Sequence, residues 1–335
     1  MTKYIRSVSV PSDYNFLNSE VIYYRFGELK KNDGYSNKSY QDKRTRYIDA
    51  SCHYLLPWHG IKKYSIIPDF LYPIKNIHSN GKSKIIKAFN ARINDFCLLK
   101  IGAFLGNIEK NNIDSFDRVA WEAHVLKRIS NKNYTTNYID SFVVGNEFFL
   151  LEKFIEGDNL GQAIIDNLIK DEESNICSKI FQIVKELHLL GYRMVDLSLN
   201  NFMWNQQDLY IIDLEYFYHE SSDYYLIENY NQGTIGFVFP ELQLPPLLFD
   251  LYALYKMIFY INNRQEYIEF VEKVKEIPMN EYNDSFINEM ESKVKDKLFE
   301  YYSVDIQTDM NKLSYKEHLI FIENFLTNLK KEAMQ

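Results

Sequence analysis

The most informative stretch of the 335-residue sequence runs from Met194 to Glu215 and reads MVDLSLNNFMWNQQDLYIIDLE. It places Asp196 and Asn201 in a polar turn between two short apolar runs, YRMV and LYIID, and puts Asp213 at the end of the second run. Short apolar runs bounded by turn-forming residues are typical of strands. The pattern therefore predicts two strands that present two carboxylates and one amide close together.

These three side chains are the groups that phosphoryl transfer requires. One carboxylate accepts or orients the proton of the nucleophilic hydroxyl, and an amide with a second carboxylate binds Mg²⁺ on the nucleotide phosphates, because hard cations prefer oxygen ligands. In this interpretation Asp196 is catalytic, and Asn201 and Asp213 are metal ligands. The alternative interpretation is that all three are ordinary turn residues, since Asp and Asn are common in turns.

The order of the predicted elements indicates the fold class. Three strand-like segments, FLYPIKNI, KIIKAFN and FCLLKIG, are separated by polar turns and predict a small antiparallel sheet. A capped helical segment, SFDRVAWEAHVLKRI, precedes two more strands, YIDSFVVG and EFFLLEKFIEG, and most of the chain after them has helical periodicity. We therefore predict an α+β fold with an N-terminal arm (1–66), a small β-rich lobe (67–154) and a larger helical lobe (155–335).

Further candidate residues occur in the order that a two-lobed, protein-kinase-like fold requires. Lys100 ends the strand FCLLK and is the candidate partner of the α and β phosphates of ATP, with Glu122 in the next helix orienting it. In the connector EFFLLEKFIEG, the Glu152 carbonyl and the Phe154 amide are candidates for binding the adenine edge, with Asp158 near the ribose. Taken singly, such residues are more often surface charges or an ordinary strand-to-helix link.

Three more segments fit the same order. The segment from Gly233 to Glu241, GTIGFVFPE, matches the end of an activation segment, and DLYAL from Asp250 matches the helix that follows it. The candidate phosphate-covering loop is SNGKSK, in which Gly81 is the only glycine. Because a single glycine lets fewer backbone amides approach the phosphates, modest affinity for ATP is expected.

Residues from about 70 to 300 resemble the kinase domain of class III and class IV lanthipeptide synthetases. That family has approximately GDLSxxN, DFE and GTxGFxxPE where this chain has VDLSLNN, DLE and GTIGFVFPE. The DLS match and the Glu after the metal Asp differ from the HRDLK and DFG motifs of ordinary Ser/Thr kinases. The segment VIYYRFG from Val21 to Gly27, with QDKRT and the PWHG turn, resembles the stretch that joins the lyase-like domain to the kinase in class III synthetases.

The resemblance implies a kinase that uses ATP or GTP with Mg²⁺ to phosphorylate Ser or Thr of a ribosomally made precursor peptide. A lyase then eliminates the phosphate to give dehydroamino acids, and a cyclase builds thioether rings. The arm of residues 1–66 is too short for a lyase domain, and the Cys, Cys, His zinc set of the cyclases is not found after Glu241. We expect either a stand-alone kinase with separately encoded lyase and cyclase, or a piece of a longer synthetase; the initial Met1 favours the former.

Some positions depart from the kinase pattern, and two other functions stay open. Met194 and Val195 replace the His and Arg of HRD, which argues against control by loop phosphorylation, and Ser198 replaces a catalytic-loop lysine, as in the synthetase family. A small-molecule kinase of the aminoglycoside or choline type shares the spacing of the three polar groups but lacks a segment like GTIGFVFPE. A pseudokinase scaffold that binds a leader peptide is suggested by the single glycine of SNGKSK.

Composition excludes several classes of protein. Asp and Glu number 46 against 38 Lys and Arg, which gives a net charge of -8 and argues against a nucleic-acid partner. The most apolar windows, FCLLKIGAFL and LYALYKMIFYI, are interrupted by lysine and too short to span a membrane. Three widely spaced cysteines predict a reducing compartment, and we expect a cytoplasmic protein. The seven histidines show no metal-binding spacing, and His188 is interpreted as a helix-end core or capping residue.

Overall fold

A computed structural model describes residues 21–23, 29–31, 67–68, 70–79, 83–103, 114–144, 147–170, 172–220, 234, 236–237, 245–276 and 284–334. By its internal contacts the chain divides into two compact units, residues 1–154 and residues 155–335. In the predicted N-terminal arm, strands β1 (Val21–Tyr23) and β2 (Leu29–Lys31) pair antiparallel. The rest of that arm, including QDKRT and PWHG, lies outside the described residues.

The first unit contains a five-stranded antiparallel sheet with one helix. Its strands are β3 (Leu71–Ser79), β4 (Ser83–Asn90), β5 (Asp95–Ala103), β6 (Tyr138–Val144) and β7 (Glu147–Lys153), in the order β3-β4-β5-β7-β6. Every neighbouring pair is antiparallel. Helix α1 (Ser115–Ile129) lies between β5 and β6 in the chain. The prediction of an α+β chain with an antiparallel sheet is confirmed.

The side chains of strand β5 alternate between the two faces of this sheet. Leu99 and Ile101 are fully buried in an apolar cluster on one face, whereas Lys100 and Gly102 point to α1 on the other. A Cβ atom at Gly102 would lie 2.0 Å from the Ser115 carbonyl oxygen, so only glycine lets the helix approach so closely. This close approach brings α1 onto the face of the sheet that carries Lys100.

Helix α1 begins where the sequence predicted a cap. The Asp114 side chain accepts hydrogen bonds from the amides of Phe116 and Asp117, and the Asp117 carboxylate in turn accepts one from the Asp114 amide. This capping box satisfies amides that the first turn of a helix leaves without partners. Most apolar positions of the helix, including Val119, Ala123 and Leu126, are buried, with Glu122 among them.

The second unit is mainly helical. Its helices are α2 (Leu160–Ile165), α3 (Glu173–Leu189), α4 (Pro246–Asn262), α5 (Arg264–Glu276), α6 (Asp284–Tyr302), α7 (Ile306–Asp309) and α8 (Tyr315–Ala333). Its short strands are β8 (Asp158–Asn159), β9 (Tyr192–Arg193), β10 (Phe202–Trp204), β11 (Leu209–Ile211) and β12 (Tyr218–His219). Strands β8, β10 and β11 form one antiparallel sheet, and β9 pairs with β12.

Helix α4 forms the centre of the second unit. Every residue from Phe249 to Ile261 is buried, as expected for a helix that is apolar all round. It contacts α3, α5, α6 and α8. Burial lowers the pKa of Lys256, the one lysine of this stretch, well below its usual range, while the nearby Glu291 carboxylate opposes that shift. None of the helices in the described part of the chain combines the length and hydrophobicity that a bilayer crossing requires.

The strand predicted for YRMV is shorter in the structure. Only Tyr192 and Arg193 pair as a strand, because the amides of Met194 and Val195 bind the side chain of Asp250 instead of a neighbouring strand. The run after the polar turn, Phe202–Trp204, forms a strand that the sequence interpretation did not predict. It pairs with β11 and makes a hairpin, so the predicted turn and second strand hold the candidate polar groups as the sequence suggested.

Candidate active site

In the first unit, Lys100 and Glu122 form a buried ion pair. Lys100 Nζ lies 2.5 Å from Glu122 Oε2, and the two side chains are 6% and 3% exposed. Strand β5 presents the lysine, and the glutamate lies one to two turns into α1, on the face that packs against the sheet. Because burying two charges costs solvation free energy, such a pair contributes little to stability on its own. Its geometry keeps the ammonium group in a defined position.

We expect the pair to behave as a coupled unit in unfolding experiments. Glu122→Gln should destabilise the chain by roughly 3 to 5 kcal/mol, since it removes the carboxylate charge that faces a buried ammonium group. The double variant Lys100→Met/Glu122→Gln should recover most of that loss, which urea unfolding followed by circular dichroism would measure. The exposed pair Lys293–Glu289 is the control, and Glu289→Gln should have a much smaller effect. A double variant no more stable than Glu122→Gln alone would contradict the coupling.

The predicted nucleotide connector is divided between the two units. Glu152 and Phe154 lie at the end of β7 in the first unit, and Asp158 is exposed in β8 of the second. The Phe154 amide lies 3.5 Å from the Phe96 carbonyl oxygen, at the outer limit of a hydrogen bond, so another acceptor can displace that contact. The Lys87 ammonium lies 3.9 Å from the centre of the Phe154 ring, a cation–π contact that sequence reasoning missed. The predicted phosphate-loop residue Gly81 lies outside the described residues.

In the second unit, the β10–β11 hairpin holds Asn201 and Asp213 at its same end. Asn201 ends a single 3₁₀ turn, and its carbonyl accepts a hydrogen bond of 2.8 Å from the amide of Ile212, the neighbour of Asp213. The Asn201 amide oxygen accepts a bond of 2.5 Å from the Ser198 hydroxyl. Asp213 has a left-handed backbone with φ of 60° and an exposed side chain. Ser198, at the position of the catalytic-loop lysine of ordinary kinases, thus orients the asparagine.

Asp196 is held by Thr234, a residue to which the sequence interpretation gave no role. One carboxylate oxygen of Asp196 accepts bonds of 2.6 Å from the Thr234 amide and 2.9 Å from its hydroxyl. Burial raises the pKa of Asp196 to about 7; the two Thr234 bonds oppose the rise, and the nearby carboxylates Asp213 and Glu215 add to it. A carboxylate with a pKa near neutrality is matched to accepting a proton at physiological pH.

Carboxylates that lie close together repel one another, and a divalent cation relieves that repulsion by binding their oxygen atoms. The Asp213 and Glu215 carboxylates lie near enough to Asp196 to raise its pKa, and Asn201 lies beside Asp213 at the same end of the hairpin. Within the described residues no group of three or more His, Cys, Asp or Glu side chains is placed so that it could hold a metal ion. This chemistry fits Mg²⁺, which takes one or two carboxylates from the protein and completes its coordination with water and phosphate.

The loop that carries Asp196 is anchored by Asp250 in α4. The Asp250 carboxylate is fully buried and accepts bonds of 2.8 Å from the Met194 amide and 2.9 Å from the Val195 amide. Val195 has φ of 62°, a strained conformation for a β-branched residue. Such strain persists only where surrounding contacts hold it, and it is common at functional sites. The sequence indicated a helix at DLYAL, but the hydrogen bonds from the amides of Met194 and Val195 to Asp250 are evident only in the structure.

Part of the predicted activation segment GTIGFVFPE is described, at Thr234, Gly236 and Phe237. Gly236 has φ of 85°, and a Cβ atom there would lie 2.1 Å from the Phe270 ring, so the position requires glycine. The Phe237 ring packs edge-on against Tyr260 and Phe270. Gly236 and Phe237 therefore pack this segment against helices α4 and α5, close in sequence to Thr234.

Comparison with known proteins identifies no relative of this chain. No protein-family model matches the sequence, and no curated protein matches it. Three features of the chain bear on its function: the Lys100–Glu122 pair, the loop that carries Asp196, and the motifs quoted from the sequence. The Lys100–Glu122 pair lies in the first unit, and the loop that carries Asp196 lies in the second.

Proposed function

We propose that the chain is an ATP- and Mg²⁺-dependent kinase, with GTP as an alternative donor, built on a two-lobed, protein-kinase-like fold. The observation that carries the proposal is the buried Lys100–Glu122 ion pair. Kinases of this kind use a strand lysine, paired to a helix glutamate, to bind the α and β phosphates. Burial of two such charges is costly, so a functional role accounts for the pair better than stability does.

The loop in the second unit supports the same reaction. The oxygen of the acceptor hydroxyl attacks the γ-phosphorus, the bond to the ADP oxygen breaks, and Asp196 takes the hydroxyl proton. Thr234 and Asp250 hold that carboxylate and its loop in place before the substrate binds. Asn201 and Asp213 would hold Mg²⁺, which would supply positive charge to the phosphates. Glu152, Phe154, Asp158 and Gly81 are the proposed contacts to the nucleotide base, ribose and phosphates.

The proposed substrate is a hydroxyl of Ser or Thr in a ribosomally made lanthipeptide precursor. Two features favour a peptide over a small molecule: the DLS and DLE motifs resemble the lanthipeptide synthetase kinases, and Thr234 belongs to a segment that resembles a kinase activation segment. The hydrogen bonds from Thr234 to Asp196 tie that segment to the proposed catalytic carboxylate. Separately encoded lyase and cyclase enzymes would then act on the phosphorylated peptide.

The test is intact-mass analysis of a Ser/Thr/Cys-rich precursor peptide incubated with the chain, Mg²⁺ and either ATP or GTP. We expect one or more phosphates on the peptide, and none when Mg²⁺ is removed with EDTA. Choline and aminoglycosides form a parallel set of acceptors. Phosphorylation of those alone would replace the peptide by a small-molecule substrate. Peptide binding without any phosphate transfer would replace the kinase by a scaffold.

A second arm tests the residues. The double variant Lys100→Met/Glu122→Gln should stay folded, since the buried charges are removed together, but should transfer phosphate about a thousandfold more slowly. Full activity in a folded double variant would refute the assigned role of the pair.

A further inference from the structure

A buried chain of polar contacts leads from the loop of Asp196 to the last helix. Asp250, which holds the amides of Met194 and Val195, has its Oδ2 atom 2.9 Å from His188 Nε2. His188 Nδ1 lies 2.9 Å from the hydroxyl of Tyr315, the first residue of α8. Hydrogen bonds therefore connect α3, α4, α8 and the loop. The interpretation of His188 as a helix-end core residue describes its burial but not this role.

The directions of these hydrogen bonds follow from the chemistry of the groups. An ionised carboxylate only accepts, so the His188 nitrogen that faces Asp250 must carry the hydrogen. In the neutral ring the other nitrogen, Nδ1, is then an acceptor and receives the Tyr315 O–H. Since the side chains of His188 and Asp250 are 1% and 0% exposed, water has little access to replace that donor. Asp250 thus fixes the hydrogen on Nε2, and the Tyr315 hydroxyl holds the ring from its other side at Nδ1.

We propose that Tyr315 is a positioning residue for the loop that carries Asp196, and that α8 thereby controls the alignment of this loop. The inference rests on the proposed function for its effect on catalysis, whereas its effect on the loop is independent of any activity. Val195 makes the loop sensitive to its support, because its left-handed backbone is unfavourable without the bond to Asp250. A weaker histidine bond to Asp250 leaves that carboxylate less firmly held.

The chain contains a matched control for this inference. Tyr255 in α4 lies with its hydroxyl 3.0 Å from Nδ1 of His318 in α8, so it forms a second tyrosine–histidine pair between helices, buried where the Tyr315–His188 pair is part-buried. Tyr255 is 2% exposed, and neither it nor His318 contacts the loop of Asp196 through the hydrogen bonds described here. Tyr255→Phe therefore deletes the same hydroxyl from the same type of bond without reaching the loop.

The experiment compares Tyr315→Phe with Tyr255→Phe in the full chain. Amide hydrogen exchange is measured by mass spectrometry on peptides that span residues 192–197. We expect the amides of Met194 and Val195 to exchange about tenfold faster in Tyr315→Phe, the loss of roughly one buried hydrogen bond, and at the wild-type rate in Tyr255→Phe. Phosphate transfer by Tyr315→Phe should show a kcat about five- to tenfold lower, with KM for ATP nearly unchanged.

A double variant tests the proposed route. His188→Gln retains an N–H that can donate to Asp250 but removes the ring that links Tyr315 to that carboxylate. Adding Tyr315→Phe to His188→Gln should therefore leave the exchange of both amides unchanged, a non-additive result. Equal exchange of the two amides in Tyr315→Phe and Tyr255→Phe, or additive effects in the double variant, would overturn the inference. A wild-type chain that transfers no phosphate would overturn the proposed function, but the exchange comparison would still decide the role of Tyr315.

Discussion

Asp196→Asn is expected to remove phosphate transfer and, at neutral pH, to make the chain more resistant to unfolding. Loss of the carboxylate that accepts the hydroxyl proton should lower kcat by about a thousandfold. The substituted amide keeps an oxygen that accepts the two Thr234 hydrogen bonds, so the local structure should persist. A residue that lowers stability but is needed for activity is typical of an active site.

The stability gain follows from the pKa of Asp196. Burial raises that pKa from 3.8 to about 7, so the unfolded chain ionises this carboxyl at a lower pH than the folded chain does. Folding free energy is therefore lost as pH rises from about 4 through 7, and the asparagine avoids this loss. We expect Asp196→Asn to gain roughly 1 to 3 kcal/mol at pH 8 and clearly less at pH 5. Thermal unfolding at both pH values measures the difference.

Asp166→Asn is the matched control, because Asp166 is exposed at the end of α2 and its carboxylate accepts a surface hydrogen bond from Gln162. It should change neither the rate of phosphate transfer nor the pH dependence of stability. A less stable Asp196→Asn variant at pH 8 would mean that the carboxylate has a structural role in the turn. An active Asp196→Asn variant would exclude this residue as the proton acceptor.

Asp250→Ala is the second substitution with a large expected effect. It removes the acceptor of three buried hydrogen bonds, from the amides of Met194 and Val195 and from His188. Because donors left without partners in the interior keep their full desolvation cost, the loss should be about 3 to 5 kcal/mol. The thermal unfolding midpoint of the variant should fall by about 10 °C. Calorimetry on the full chain would measure this shift.

Asp309→Ala provides the comparison for Asp250. Asp309 belongs to the same unit, lies near the surface in α7, and has Lys312 at 3.7 Å as its ion-pair partner. Its substitution should change the unfolding midpoint by only a small fraction of the Asp250 effect. If the two variants unfolded at the same temperature, Asp250 would not be the anchor of the loop. Phosphate transfer by the Asp250→Ala variant, measured well below its unfolding midpoint, should be lost with the loop geometry.

The local pattern of the sequence was enough to locate most of the regular structure. The alternating strands and the capped helix Ser115–Ile129 depend on the residues within one element, and the structure has them close to the predicted positions. The short strand at Tyr192 is the exception, since the amides of Met194 and Val195 bind Asp250, which lies far along the chain. A local sequence pattern cannot reveal a hydrogen-bond partner that lies so far away in the sequence.

The candidate site divides in the same way. Asp196, Asn201 and Asp213 could be proposed together from the sequence because one turn and one hairpin carry all three. Lys100 and Glu122 were each more often expected as surface charges, and only their burial as a pair distinguishes them. Apart from its place in the GTIGFVFPE motif, no sequence feature of Thr234 indicated that it would bind Asp196.

The sequence by itself thus determined which residue types stand next to one another: the order of strands and helices, and the three polar groups of one loop. Those features depend on short-range periodicity and turn preference, which a chain expresses locally. Only the tertiary structure decided which side chains are buried together, as with Lys100 and Glu122, or Tyr315, His188 and Asp250. Such partners are chosen by the packing of helices against sheets and of helices against one another, which brings together residues from distant parts of the chain.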